Sequence, residues 1–528
     1  MVNPRKESNR QYGDTTRGDG KMAVKEGFEA AVPADGQAAP VADLHWGGLK
    51  AGGPVTDKLE TLQPVKAHPP SWSPAPGEGR LHFIKRVTTE GHTVVDAFLT
   101  VSAAQIGQIL LTLPNAISKT GFIAGTTLAI GSAILALWTM YLLASLYLER
   151  KRSLVKSGEW YGMDGKRHEV TQYHDVIRFH MGPVVGVIAQ ILVALSLAGI
   201  GIAQVIACAG DAFYIDRRFS KRQYELIFGG MLMIFAFVPT FRHYRILNLV
   251  AVVGTTYTCL YILVTASLSG IKPGLATKPP ASPQAFFLGS AIILQAMGAH
   301  PIALEMMDAM RDSRKYVGAY FGGWLWTALL TLPHSLAVNL AYPAIIVNDN
   351  VYGVLPLSNW MRVSVALMIV HQFVAFALYV TPLIFMFERL WGSHNARWFI
   401  RLPLRLPVAL ILWLLGVMLP FYGTINSLMG AIGVPTTAFV LPAIAYNWHF
   451  RSRETREAAT SQPPRWLAAH GWLPCFLLNY CIIAVFSVFT VGGIFFSIQR
   501  IVQQSYSFGL FAECYQCPPK NSVTGLWG

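Results

Sequence analysis

Runs of about 20 residues with almost no charged side chain recur along this sequence, and each is long enough to cross a bilayer as an α-helix. Of all residues, 53% are hydrophobic and 13% are charged, which is far more apolar than a soluble protein of this length. The sequence therefore predicts an all-α polytopic protein embedded in a lipid bilayer. It contains no recognisable nucleophile–base set or metal motif, so we expect neither an enzyme nor a metal site.

Eleven such runs are present, and we predict one transmembrane helix for each. The predicted spans, numbered one to eleven in chain order, cover residues 97–119, 122–148, 181–208, 223–241, 246–269, 285–309, 316–340, 360–387, 403–420, 424–447 and 473–498. Residues 1–92 are polar, lack an apolar period and are predicted to be a disordered cytosolic tail. Residues 93–500 then form the transmembrane domain, and residues 501–528 form a C-terminal tail.

Arginine and lysine are concentrated in alternate loops, which is the pattern that orients a polytopic protein. The loops rich in these residues, and therefore predicted to be cytosolic, cover residues 149–180, 242–245, 310–315, 388–402 and 448–472. The opposite loops are poor in them, apart from a cluster at 217–222. The net charge of +14 therefore indicates orientation signals and not a nucleic-acid surface. With a cytosolic N-terminus, eleven spans place the C-terminal tail outside, where Cys514 and Cys517 either stay free or form a disulfide.

The sixth span contains an interruption, in the stretch FFLGSAIILQAMGAHPIALEMMDAMR at 286–311. Gly298, Ala299, His300 and Pro301 lie in its middle, and proline removes a backbone hydrogen bond from a helix. A helix broken at this depth leaves unpaired backbone groups, which hydrocarbon tolerates only where they line a cavity or meet a ligand. The sequence therefore predicts a binding site at this break.

The first span is interrupted as well, since SAAQIGQILLTLPNAISKTG at 102–121 places polar residues, a glycine and a proline in an apolar run. Corresponding breaks in the first and sixth spans are typical of secondary transporters built from five-plus-five inverted repeats. Spans one to five and six to ten would be the repeats, with the eleventh span added. This pattern predicts an inverted-repeat transporter fold in which helices one and six are broken.

Broken half-helices expose N–H groups at their N-terminal ends, and these groups attract an anion such as a carboxylate. Gln105 and Gln108 would add side-chain donors, although a helix–helix hydrogen bond is the alternative role for both. Other polar residues lie at membrane depth in spans three, eight and ten. The predicted substrate-binding residues are Gln105, Gly107, Gln108, Gln204, Ala299, His300, His371, Gln372 and Asn426.

Two titratable residues near the break in the sixth span are predicted to couple protons to transport. His300 changes charge near physiological pH, so a bound carboxylate and a proton can favour each other there. The alternative is a neutral histidine that donates to a backbone carbonyl, and the same alternative applies to His371. Glu305 either pairs with a basic residue at a cytosolic gate or carries the proton itself.

Several longer motifs carry a family resemblance. They are QILLTLP at 108–114, QVIACAGDAFYI at 204–215, TTYT at 255–258, GAHPIALEMMDAM at 298–310, MIVHQFVAFALYVTPL at 368–383, PFYGTINSLMGA at 420–431 and FGLFAECYQC at 508–517. On these motifs the chain resembles the plant auxin influx carriers of the amino acid/auxin permease family. The resemblance implies a fold of the amino acid–polyamine–organocation type, in which spans one, three, six, eight and ten surround a central cavity.

The resemblance also implies a function, which is proton-coupled permeation of indole-3-acetic acid at the plasma membrane. Protons would be the coupling ion, and no cofactor is expected. Asn115 and Asp308 depart from the residues usual in the family, so a related aromatic acid or amino acid stays open as the substrate. Two rival functions remain, a proton-coupled symporter of neutral or aromatic amino acids and a membrane receptor that binds auxin and signals through its long tail. The sequence does not indicate an oligomeric state.

Overall fold

The computed structural model describes residues 79, 92–107, 109–160, 170–237, 244–394, 396–419, 421–464 and 471–511, and these ranges are almost entirely helical. In chain order the α-helices of this part are α1 (Val94–Ile106), α2 (Ile109–Thr120), α3 (Phe122–Ser157), α4 (Tyr173–Met181), α5 (Pro183–Ile215), α6 (Lys221–Leu232), α7 (Arg245–Leu268), α8 (Pro283–Gln295), α9 (His300–Ala309), α10 (Tyr316–Ala341), α11 (Asn359–Leu390), α12 (Trp398–Met418), α13 (Tyr422–Ile432), α14 (Leu441–His449), α15 (Arg453–Glu457) and α16 (Leu473–Phe508). A π-helical turn, Pro435–Val440, joins α13 to α14.

Every predicted span contains helix, and most of these helices are long and apolar enough to cross a membrane. Within the described residues eight stretches meet that standard, and the bent pair α1–α2 makes a ninth. Two predicted spans are helical without meeting it. One is α10, and the other is α6, which is short and continues as a 3-10 helix at Met233–Phe237. α16 continues to Phe508, past the predicted end of the transmembrane domain at residue 500.

The sixth span lies at the centre of the helical bundle, and the eleventh lies at its edge. In the most apolar stretch of Pro283–Ala309, 94% of the residues are buried, whereas the corresponding value for Leu473–Phe508 is 22%. The exposed side chains of α16 include Val488, Val491 and Phe495, which suit contact with lipid. The break in the sixth span is therefore enclosed by protein, as the unpaired backbone groups there require.

The two interrupted spans run side by side in opposite directions. α2 packs against α8, and α5 packs against α11. At the predicted inner side, the backbone N–H of His92 donates to the carbonyl of Ala309 at 2.8 Å, and the N–H of Arg311 donates to the carbonyl of His92 at 3.0 Å. These bonds tie the start of α1 to the end of α9. Residues 1–78 and 512–528, and with them Cys514 and Cys517, lie outside the described residues.

Candidate functional site

The break in the first span is made by a glycine in a conformation that other residues rarely adopt. α1 ends at Ile106, and Gly107 has φ +25°, ψ −161°. The axes of α1 and α2 differ by 47° across this point. A side chain at Gly107 would strain the backbone, so the glycine is required by the turn itself. Gln108, which was predicted to donate to the substrate, lies outside the described residues.

The break in the sixth span covers the four residues between Gln295 and His300. Here the N–H of Ala296 donates to the carbonyl of Ile293 at 3.1 Å, and the N–H of Gly298 donates to the carbonyl of Gln295 at 3.0 Å. These three-residue bonds replace the four-residue bonds of an α-helix. Pro301 lies in the first turn of α9, where its missing N–H costs no helical hydrogen bond. The proline thus starts the second half-helix and does not kink a continuous one.

A small cavity of about 20 Å³ lies between the two breaks. This volume is sufficient for a water molecule. The lining residues are Ala104, Gln105, Gly107, Ile109, Ile200, Gln204, Gln295, Gly298, Ala299 and Tyr379. Four predicted substrate-binding residues, Gln105, Gly107, Gln204 and Ala299, are therefore brought together at one place.

Two helix N-termini border this cavity. Ile109 begins α2, and Ala299 directly precedes α9. The N-terminal end of a helix carries a partial positive charge and N–H groups without an intrahelical partner. None of the lining residues that the structure describes is acidic or basic. The cavity can therefore attract a carboxylate through dipoles and amides, without a lysine or an arginine.

Tyr320 of α10 connects the two breaks through its hydroxyl group. Nε2 of Gln105 donates to this hydroxyl at 2.9 Å, and the hydroxyl donates to the carbonyl of Met297 at 3.3 Å. Oγ1 of Thr327 donates to the other end of the Gln105 carboxamide at 3.3 Å. Gln105 thus makes the helix–helix bonds of its alternative role while it also lines the cavity. Tyr320 had not been selected from the sequence, because a tyrosine in an apolar run carries no signal of what its hydroxyl will contact.

Two carboxamide oxygens beside the cavity have no hydrogen-bond partner among the described residues. Oε1 of Gln204 and Oε1 of Gln295 are both buried and unpaired. Gln295 was not selected from the sequence, although it is a polar residue in an apolar run directly before the break. Tyr379, also missed, donates its hydroxyl to the carbonyl of Ala104 at 2.8 Å. Buried carbonyl oxygens without partners are costly, and a ligand that donates hydrogen bonds into the cavity would satisfy them.

His300 and Glu305 lie away from the cavity lining, on the α9 side of the break. Nε2 of His300, a fully buried residue, is 3.1 Å from Oγ1 of Thr139. Oε1 of Glu305 accepts a hydrogen bond from Nε2 of Gln172 at 3.4 Å, and Oε2 has no partner. Within the described ranges Glu305 makes no ion pair, so the basic partner considered for it is not in place in this conformation.

The other described residues that were predicted to bind substrate do not line the cavity. They are His371, Gln372 and Asn426. Nε2 of His371 is 3.9 Å from the position that a Cβ on Gly107 would take, so this ring borders the break from outside the lining. Nε2 of Gln372 is 3.5 Å from Oδ2 of Asp211. Asn426 is buried on α13, one turn after Tyr422. Gln372 therefore belongs to a second polar cluster, around Asp211.

Asp211, in the motif QVIACAGDAFYI, is a buried acidic residue that was not among the predicted site residues. Its side chain is fully buried on α5, and Oδ1 accepts a hydrogen bond from Nδ2 of Asn350 at 2.8 Å. The available signal was an acid inside an otherwise apolar run, which is rare at membrane depth and functional by default.

Comparisons with known proteins agree with this architecture. A family model described as "Transmembrane amino acid transporter protein" matches residues 90–499. "Auxin transporter-like protein 2" of Oryza sativa subsp. japonica is 33% identical over 434 residues, which cover 81% of this chain and 88% of that protein. "Auxin transporter protein 1" of Arabidopsis thaliana is 32% identical over 433 residues, with coverages of 81% and 88%.

A solved structure shows the same fold. The crystal structure of MhsT in complex with L-phenylalanine superposes with a TM-score of 0.52 at 11% identity, covering 76% of this chain and 99% of that one. The predicted all-helical, inverted-repeat transporter fold is thereby confirmed. The chain belongs to the transmembrane amino acid transporter family, together with the auxin transporter-like proteins of plants, and is a multi-span membrane transporter.

Proposed function

We propose that this protein imports auxin, indole-3-acetic acid, across the plasma membrane by proton-coupled alternating access, with a cytosolic N-terminus and an extracellular C-terminus. The names of its plant relatives support auxin as the substrate. The observation that carries the proposal is the uncharged cavity with two helix N-termini at its border. Such a site suits a carboxylate, while Ile109, Ile200 and Tyr379 supply apolar surface for an aromatic ring.

The size of the cavity supports alternating access. A void of about 20 Å³ holds a water molecule and cannot hold an indole ring. The walls must therefore separate to admit the substrate. In the proposed motion the helices of spans one, two, six and seven, which are α1–α3 and α8–α10, rock against the remainder. Tyr320 lies within this moving group and keeps its two broken helices together.

The membrane potential gives a physical reason for coupling auxin import to protons. An anion entering a cell with a negative interior works against the membrane potential, at a cost of about 2.3 kcal/mol per charge for each 100 mV. One co-transported proton cancels this cost, and two protons reverse its sign. In this proposal His300 and Glu305 hold the proton close to the sixth-span break, and Gln105, Gly107, Gln204 and Ala299 contact the substrate.

The test is uptake of labelled indole-3-acetic acid by cells that express the protein, at acidic and neutral outside pH. We expect faster uptake at acidic pH, and we expect Glu305→Gln or His300→Gln to weaken that dependence. Glu457→Gln is the control, because this carboxylate lies in an exposed surface pair with Arg453. Uptake by the wild type that does not exceed that of untransfected cells at either pH would refute the proposal, after correction for passive entry of the neutral acid.

A second candidate is a proton-coupled symporter of aromatic or neutral amino acids. The unpaired carboxamide oxygens of Gln204 and Gln295 favour it, because they could accept hydrogen bonds from a substrate ammonium group. Competition separates the two functions, since an auxin carrier would discriminate strongly against tryptophan and an amino-acid symporter would prefer it. Deleting residues 1–90 tests the receptor function, because a carrier would still take up its substrate without that tail.

A further inference from the structure

Asp211 lies where the helical core meets a loop on the predicted outer side. It is four residues before the end of α5, and its side chain is fully buried. Oδ1 accepts from Nδ2 of Asn350, in the loop between α10 and α11, at 2.8 Å, and Oδ2 lies 3.5 Å from Nε2 of Gln372 on α11. One carboxyl group thus connects two scaffold helices to a loop.

The surroundings of Asp211 do not neutralise a negative charge. In the described part of the chain no lysine or arginine forms an ion pair with it. Among the described residues, the titratable groups that interact with it electrostatically are Cys208 and Tyr214 on its own helix, Tyr352 on the loop and Tyr422 on α13. The charged groups nearby are Asp349, which pairs with Lys119, and Lys221, whose ammonium lies 5.9 Å from the Tyr214 ring centroid. A buried carboxylate without a counter-ion is strongly disfavoured relative to the neutral acid.

The neighbouring carboxamide of Gln372 also suits a neutral acid. Within the described ranges its Oε1 is buried without a hydrogen-bond partner, and its Nε2 makes only the long contact to Asp211. The two ends of a carboxamide have the same shape and exchange by a half-turn. After that exchange Oε1 faces Oδ2 and accepts the hydrogen of a protonated carboxyl, while Asn350 still donates to Oδ1. A proton on Asp211 therefore gives Oε1 of Gln372 a hydrogen-bond partner.

The same loop is attached to the first span. Nζ of Lys119, at the end of α2, pairs with Oδ1 of Asp349 at 2.9 Å. Nδ2 of Asn115 donates to the carbonyl of Ile345 at 2.7 Å. The adjacent residues Asp349 and Asn350 thus link the mobile first span to Asp211 on the scaffold. We call this set, formed by Lys119, Asp349, Asn350, Asp211 and Gln372, the outer latch.

We propose that Asp211 is a proton-binding site and that its protonation closes the outer latch. The proposal rests on the proton-coupled function given above and adds a site to it. When the outer side opens, water reaches Asp211 and the carboxyl ionises. When a proton from the outer solution binds, Asp211 can be buried again and the latch closes over the cavity.

The experiment is hydrogen–deuterium exchange of the purified full-length protein across a pH series, without substrate. Exchange of the loop at 343–353 is expressed as protection factors, which remove the intrinsic effect of pH on exchange. If opening releases one proton, wild-type protection of this loop should fall about tenfold per pH unit over the pH range in which the closed state holds the proton and the open state does not. Asp211→Asn, which is always neutral, should keep the loop protected at every pH. The control is Asp216→Asn, a partly exposed partner of Arg218 that lies five residues after Asp211, which should retain the wild-type response.

A second variant keeps the test decisive if Asp211→Asn folds poorly. Gln372→Leu removes the acceptor for the bound proton, so the closed state should lose the proton at lower pH and the fall in protection should level off at lower pH than in the wild type. Wild-type protection that is independent of pH, or a wild-type response in Asp211→Asn, would overturn the proposal. Because this readout needs no transport, a flat response with proton-dependent auxin uptake rejects only the site. A pH response without auxin uptake rejects the proposed function and keeps the site.

Discussion

Replacing Tyr320 by phenylalanine should loosen the connection between the two broken helices. The substitution removes one oxygen, and with it the hydrogen bond from Gln105 at 2.9 Å and the bond to Met297 at 3.3 Å. A buried hydrogen bond contributes about 1 kcal/mol net, and a buried amide left without a partner costs about 1–3 kcal/mol. We therefore expect the free energy of unfolding to fall by about 2–3 kcal/mol, with slower uptake of the transported substrate.

A double-mutant cycle that combines Tyr320→Phe with Gln105→Leu tests whether the lost stability comes from the hydrogen bond between these two side chains. Each variant and the double variant would be unfolded by denaturant in the same detergent. Because the two side chains share one bond, their effects should be non-additive by about 1 kcal/mol. Tyr257→Phe is the matched control, since its hydroxyl makes a single exposed bond to the carbonyl of Trp360 at 3.3 Å. Additive effects, or a loss in Tyr320→Phe no larger than in Tyr257→Phe, would refute the reasoning.

Two further predictions concern packing and pH. Gly430→Ala would place a Cβ 2.2 Å from the backbone oxygen of Ala291, so the variant should lose its monodisperse peak in size-exclusion chromatography, whereas Gly131→Ala, which meets open space, should keep it. Burial lowers the pKa of His174 from 6.5 to about 4, partly opposed by Asp175. The free energy of unfolding therefore receives the full contribution of this group above pH 6.5 and loses about 3 kcal/mol as the pH drops towards 4. His174→Gln lacks this titration, so its stability should fall less steeply with acid than that of the wild type. Equal acid sensitivity in both proteins would contradict this.

The breaks in the first and sixth spans could be predicted from the sequence because each has a local cause. Gly107 is needed for a turn with positive φ, and Pro301 starts a helix more readily than it continues one. Gln204 could be selected for a similar reason, since a carboxamide inside an apolar run is conspicuous. Tyr379 lines the same cavity but gives no such signal, because tyrosine is common on helices whether or not its hydroxyl is used.

Contacts between distant segments explain what the sequence could not reveal. Asn350 and Asp211 are separated by 139 positions, and nothing near either residue indicates the other. The ring of His300 lies beside Thr139 on a neighbouring helix and outside the cavity lining, so its contact with the substrate stays a prediction. Which face of a half-helix points to the cavity depends on the rotation of α9 within the bundle. Periodicity alone does not fix that rotation when nearly every position of the helix is buried.

The void between the breaks has a consequence for inhibitor chemistry. Because it measures only about 20 Å³, an analogue with a bulky substituent would bind to the parted walls and prevent them from meeting again. Such a compound would bind to the protein but would not be transported. In a series of analogues with increasingly large substituents, the larger ones should therefore bind tightly without being transported. The substituent size at which transport is lost would measure how far the walls move.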